Sequence, residues 1–183
     1  LQGGFNSYDT RRSALQGTAR GSTTGGEFTG LIATGFDFTN DALRIGPIAS
    51  FQYTHIGFGG YEESGSLAPL RHGSQGATSM RSALGMKAAY EFRRGSLVFR
   101  PEMRAAWQHE FGDIHYAIDS ALASGGPSFT VQGAEIGRES LLFSAGLAVL
   151  WNERTATYLY YDGELARSNY SSNNVSAGVR MSF

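Results

Sequence analysis

The chain has no cysteine, only four prolines in 183 residues, and charged residues at 17%. Without cysteine there is neither a disulfide framework nor a thiolate metal site. An ordinary soluble domain carries roughly 25% charged residues, so this one is short of the charge a wholly wetted surface needs. The net charge of −1 leaves no basic surface for nucleic acid. No segment approaches the ~20 consecutive apolar residues of a membrane-spanning helix. The best run, Leu141 to Trp151, already contains Ser144 and Gly146. Leu1 is preceded by neither an initiator Met nor a signal peptide, which reads as a processed product or an excised fragment. The length allows one domain.

What is present is aromatic (13%) and rich in glycine (25 residues), yet the mean hydropathy is −0.24. A membrane-spanning β-barrel reconciles these values, because half of each strand meets lipid and half meets water or the barrel interior. Glycine suits tight turns and crowded strands.

Alternation set against turn signals predicts eight strands, over 5–20, 26–39, 42–57, 76–92, 96–111, 137–151, 154–166 and 173–183. In the fifth, Leu97, Phe99, Pro101, Met103, Ala105 and Trp107 share one face, and Arg100, Glu102, Arg104, Gln108 and Glu110 the other. The third opposes Leu43, Ile45, Pro47, Ala49, Phe51 and Tyr53 to Arg44, Ser50, Gln52 and Thr54. The fourth opposes Met80, Leu84, Met86, Ala88, Tyr90 and Phe92 to Arg81, Lys87 and Glu91. From the second strand to the eighth the apolar face carries no charge, as expected where a mid-bilayer Arg or Lys costs about 2–4 kcal/mol. The first strand breaks the rule, because adjacent Arg11 and Arg12 must face opposite ways.

The last strand alternates strictly: Val175, Ala177, Val179, Met181 and Phe183 against Asn174, Ser176, Gly178, Arg180 and Ser182. A strand ending on an aromatic carboxy-terminus resembles the close of bacterial outer-membrane barrels, and the signal that their assembly machinery reads. With that end in the periplasm, the turns at Thr39-Asn40-Asp41, Arg93-Arg94-Gly95 and Asn152-Glu153 are periplasmic and short. The opposite side receives two long loops, 59–76 and 112–138, and shorter ones near 21–26 and 167–172. Outer-membrane barrels sort their loops this way. A soluble barrel or sandwich is the competing reading, and it requires the apolar face to point inward. Trp107, Trp151, Tyr53 and Phe183 near strand ends suit an interfacial aromatic girdle instead.

Several segments, in order, resemble the translocator β-domain of autotransporters (type V secretion). They are Leu43-Arg44-Ile45-Gly46-Pro47 with Phe51-Gln52-Tyr53-Thr54-His55, and Gly60-Tyr61-Glu62-Glu63-Ser64-Gly65. Arg100-Pro101 and Ala106-Trp107-Gln108-His109-Glu110-Phe111-Gly112-Asp113 follow, then Tyr161-Asp162-Gly163-Glu164 and the closing strand. The resemblance implies a transmembrane antiparallel up-and-down β-barrel in the outer membrane of a Gram-negative-type bacterium. Its partners would be outer-membrane lipid, the barrel-assembly machinery and its own N-terminal passenger polypeptide. The family barrel has twelve strands preceded by a pore-threading helix, so either about four strands and the helix precede Leu1, the favoured reading, or the chain is an eight-stranded relative.

Chemistry is sparse. His109, Glu110, Asp113 and His115 are metal-like types, but strand alternation sends His109 and Glu110 to opposite faces, so no metal is expected. No G-x-S-x-G elbow occurs, and no cofactor is implied. The expected function is export or display of a passenger, with no catalysis. Lumen-facing polar residues are expected at Arg44, Arg81, Lys87, Arg100, Glu102, Arg104, Glu110, Asp162, Glu164 and Arg180. Two alternatives remain: a small structural or adhesive barrel acting through its long loops, and a hydrolase at the outer rim using His55, His72, His109 or His115.

Overall fold

A computed structural model describes residues 1–14 and 16–182. Phe183, on which the terminal assembly signal ends, lies outside the described residues.

The described residues are all-β, and the strands run in chain order. First come β1 (Gln2–Ala14), β2 (Gly17–Gly35), β3 (Phe38–Asn40) and β4 (Leu43–Phe58), followed by the short β5 (Tyr61–Glu62) and β6 (Leu70–His72). Next are β7 (Gln75–Tyr90), β8 (Phe92–Arg94) and β9 (Leu97–Glu110), then β10 (Ala117–Leu122) and β11 (Phe129–Gln132). The chain finishes with β12 (Glu139–Leu150), β13 (Thr155–Arg167) and β14 (Tyr170–Met181). The main sheet follows the path β1-β2-β4-β7-β9-β12-β13-β14, with β3 paired to β4 and β8 to β9. Each long strand thus lies beside its sequence neighbours, the up-and-down order.

By compactness the chain divides into two units. One holds Leu1–Leu31, Gln52–Met80 and Phe111–Glu135; the other holds Ile32–Phe51, Arg81–Glu110 and Ile136 onward. The first unit carries a second sheet, β11-β10-β6-β5, built from the long loops. The second carries the short turns.

Six of the eight predicted strands hold within a few residues, and the first hairpin, which moves the bounds of the first two, is the correction. The expected loop near 21–26 is continuous strand: Ala14 pairs with Gly17, Thr10 with Gly21 and Phe5 with Gly26. Its glycines and threonines are turn residues by type, but here they pack as strand. A Cβ on Gly21 would meet the Tyr61 ring. The second correction is the loop sheet, whose four short strands lie within segments expected to be irregular.

Two prolines account for the two breaks in long strands. The Phe36 amide donates to the Pro47 carbonyl (3.1 Å), and Pro47 has no N–H to return. The ladder therefore pauses between β2 and β3. On β9, Pro101 falls between the Ala89–Glu102 and Phe92–Phe99 pairs, where β7 gives way to β8.

Packing inverts the soluble pattern. Among the described residues the buried apolar set is Ala19, Ala83, Ala106 and Ile114, while Glu63, Gln108, Glu110, Ser120, Ser140 and Arg167 are buried polar groups. Large apolar side chains lie exposed instead, among them Ile32, Leu84, Met86, Met103, Trp107, Leu147, Leu159, Val175 and Val179. On β9, Trp107 is 51% exposed and its neighbour Gln108 only 8%. A core of three alanines and one isoleucine cannot offset the chain entropy of so long a sheet in water.

Candidate functional site

Polar residues gather in three places. In the second unit, Glu110 is 1% exposed at the end of β9. Arg81 donates to its carboxylate at 2.9 Å, and the Arg167 guanidinium stands 3.9 Å away. Arg167 also meets Glu164 (3.2 Å), whose carboxylate accepts from Gln108 at 3.1 Å. Gln108 donates to Ser140 as well, at 3.0 Å. Burial of charge at such density is sustained only by mutual pairing and hydrogen bonding.

Arg167 reaches this network through a defect. Alternation from Glu164 would send it to the opposite face, but the β13–β14 register shifts between Glu164 and Arg167. Ala166 takes a left-handed φ of 60° there. The bulge turns Arg167 to the buried side. Sequence alternation placed Arg167 in a loop, and no local signal marks the bulge.

The other predicted lumen residues are spread over β4, β7, β9, β13 and β14. Lys87 pairs with Asp37 at 2.9 Å, and Arg104 with Glu102 at 3.4 Å. Arg100 pairs with Glu91 at 2.7 Å, beside a recess that Arg44 also lines. Asp162 accepts from the Ser144 hydroxyl. Arg180 is exposed on β14 opposite Ala156. The remaining terminal-strand residues Val175, Ala177, Val179 and Met181 are exposed.

The third cluster lies in the first unit and was not anticipated. Arg12 grips both oxygens of buried Glu63, at 2.6 and 3.2 Å, and donates to the Ala68 carbonyl. The Leu70 amide also donates to Glu63, at 3.0 Å. This pair explains the outlier of the first strand: Arg12 is committed to a loop carboxylate. Glu63 lies outside the long strands. The Arg12 hydrogen bond lowers its pKa below the ordinary carboxylate range against the opposing effect of burial, and the Leu70 amide adds to the lowering. Glu63 lies within the segment Gly60–Gly65, whose resemblance to the family carries no sign of its distant partner Arg12.

The four histidines are dispersed. His55 bonds Thr78 (3.0 Å), His109 meets Glu139 (2.5 Å) and His115 meets Glu135 (3.3 Å). His72 stacks on Tyr61 with centroids 4.6 Å apart and bonds Ser120 at 2.8 Å. Its other nitrogen faces Glu63 at 3.6 Å. Ser120 is 4% exposed, and Arg12 already occupies both Glu63 oxygens, so the trio fastens the loop sheet rather than presenting a nucleophile.

An up-and-down antiparallel sheet with a polar buried face and an apolar exposed one defines a membrane β-barrel wall. Residues 1–162 match the family described as "Autotransporter beta-domain". The chain belongs to that family, the outer-membrane translocators of Gram-negative bacteria through which a passenger is exported. It is 29% identical over 185 residues to an "Extracellular serine protease" of Serratia marcescens, covering 98% of this chain and 17% of that protein. A second Serratia marcescens "Extracellular serine protease" is 30% identical over 152 residues, with 83% and 14% covered. "Lipase 1" of Photorhabdus luminescens is 29% identical over 167 residues, with 88% and 25% covered. The chain therefore spans a quarter or less of the curated relatives it matches, and the protease and lipase names describe those whole proteins.

Proposed function

We propose that the chain forms the distal strands of a wider barrel, closed by further strands upstream, whose polar face lines the route of its own passenger. The observation that carries this is the inverted packing: charge paired on one face, apolar side chains exposed on the other. Closure by additional strands is supported at the two ends of the sheet path. Among the described residues β1 and β14 each have one long partner, and Phe5 is 96% and Val175 68% exposed. Eight strands leave an interior that side chains fill, and a wider barrel leaves a passage.

The short-turn end faces the periplasm and the loop sheet faces outward. Outer-membrane lipid covers the apolar row. The barrel-assembly machinery captures the last strand by edge pairing, main-chain hydrogen bonds supplying affinity and the alternating row through Met181 to Phe183 specificity. Arg44, Arg81, Lys87, Arg100, Glu102, Arg104, Glu110, Asp162, Glu164 and Arg180 keep the passage hydrated. The passenger is a secreted activity carried N-terminal to the barrel.

Refolding tests this. Residues 1–183 alone are expected to refold poorly in detergent, and adding the upstream strands is expected to restore heat-modifiable migration. Efficient refolding of the short chain as a closed barrel would overturn the wider-barrel reading.

A further inference from the structure

At the short-turn end of the second unit, β12, β13 and β14 enclose an open recess of about 470 Å³. Arg100, Arg154 and Arg180 line it with Tyr158 and Tyr160, and among the described residues Glu153 is the one carboxylate in the lining. Arg100 is held by Glu91. Arg154 and Arg180 have no ion-pair partner among the described residues, unlike Arg81 and Lys87 on β7, Arg104 on β9 and Arg167 on β13. A cationic pocket in a chain of net charge −1 is a local excess, not a reflection of overall composition.

The face matters. Tyr158 pairs with Gly178 and Ala156 with Arg180, while Leu159 and Val179, on the alternate positions, belong to the exposed apolar row. The recess therefore opens on the side away from lipid. Guanidinium groups bind carboxylates through two parallel hydrogen bonds, and the two tyrosine rings, 5.8 Å apart, form a floor against which an extended chain can lie. The relatives carry most of their length outside the matched region, so a long polypeptide must pass this face in the translocator reading.

We propose that the Arg100–Arg154–Arg180 recess is an entry subsite for carboxylate-bearing stretches of the exported polypeptide. The proposal rests on the translocator reading and deepens it by naming the class of segment recognised. The guanidiniums of Arg154 and Arg180 at the periplasmic mouth hold acidic residues while the following chain is fed inward. They do so weakly enough to release, because the recess is open and partly screened.

The test uses the full-length protein in outer-membrane vesicles, with a photo-crosslinking amino acid at Ala156. The passenger carries a Gly-Glu or Gly-Gln repeat ahead of a disulfide-closed loop that stalls export. Crosslinking to the Gly-Glu passenger is expected to exceed that to the Gly-Gln passenger about tenfold, a factor corresponding to one charge-assisted contact. The difference is expected to collapse in an R154Q/R180Q variant that keeps heat-modifiable migration. In unmutated vesicles it is expected to shrink as ionic strength rises, which tests the idea even if the double variant misfolds. Equal crosslinking of both passengers, crosslinks to lipid instead of passenger, or a salt-independent difference would overturn the subsite. Failure of the unmutated protein to display the unblocked Gly-Gln passenger would instead overturn the translocator reading.

Discussion

Arg81 donates to Glu110 at 2.9 Å across the β7–β9 ladder, where the two residues sit directly opposite one another. Among the described residues Glu110 is the largest fully buried side chain, and its partner is 30% exposed. The pair ties two adjacent strands where the buried apolar side chains nearby, Ala83 and Ala106, are small. Removing one member strands a charge, while removing both need not.

Arg81→Met is therefore expected to destabilise the barrel by about 3–5 kcal/mol. The Arg81→Met/Glu110→Met double variant is expected to recover most of that loss. Urea-dependent loss of heat-modifiable migration measures both. Additive losses would mean that the pair is not coupled.

Tyr160 occupies the space that a side chain at Gly146 would need, and a Cβ there would overlap the ring. Gly146→Ala is expected to cost about 1–3 kcal/mol by overpacking. Tyr160→Ala in the same chain is expected to remove that penalty, leaving only its own. A thermal shift for the four variants resolves the cycle.

Loss of the loop sheet in acid follows from Glu63. Its folded pKa lies below the unfolded value because Arg12 donates to the carboxylate. The contribution to stability is thus complete above the ordinary carboxylate range and disappears as pH falls through the lowered folded value. Hydrogen exchange at Leu70, whose amide donates to Glu63, is expected to stay slow at neutral pH and accelerate only in strong acid. In Arg12→Gln the acceleration should begin at higher pH. An unchanged onset would remove Arg12 as the cause.

On the exposed apolar row, Met103→Arg is expected to cost about 2–4 kcal/mol if that side chain meets mid-bilayer lipid. A single-cysteine label at Met103 should report an apolar environment, and one at Arg104 water or protein. Identical label environments would contradict the assignment of faces.

Deleting Phe183, or replacing Met181 with Asp, is expected to lower membrane-inserted protein and leave a protease-sensitive periplasmic pool. Ser182→Asn is expected to be tolerated. Unchanged surface levels for the first two would show that the assembly machinery does not read this strand.

Most of the architecture was legible in the residues because alternation has a period of two and the apolar face is uninterrupted from β4 to β14. Leu97 to Trp107 announces a strand whatever surrounds it. The faces were legible for the same reason: charge and lipid exclude each other strongly enough to leave a one-dimensional record. The first hairpin was not, since Gly21, Gly25 and Gly26 have turn chemistry and only the pairing of β1 with β2 makes them strand.

The tertiary structure decided what depends on contacts between distant segments. Arg12 and Glu63 are 51 residues apart, so nothing local could show that one neutralises the other. Arg167 joins Glu110 only because a bulge at Ala166 reverses its side, and a register shift leaves no trace in composition. The sequence by itself determined most strands and their alternation, because both rest on periodicity along the chain, and the family through the order of its motifs. The ion-paired clusters, the loop sheet and the Arg154–Arg180 recess came only with the fold, because they depend on which strand ends meet in space.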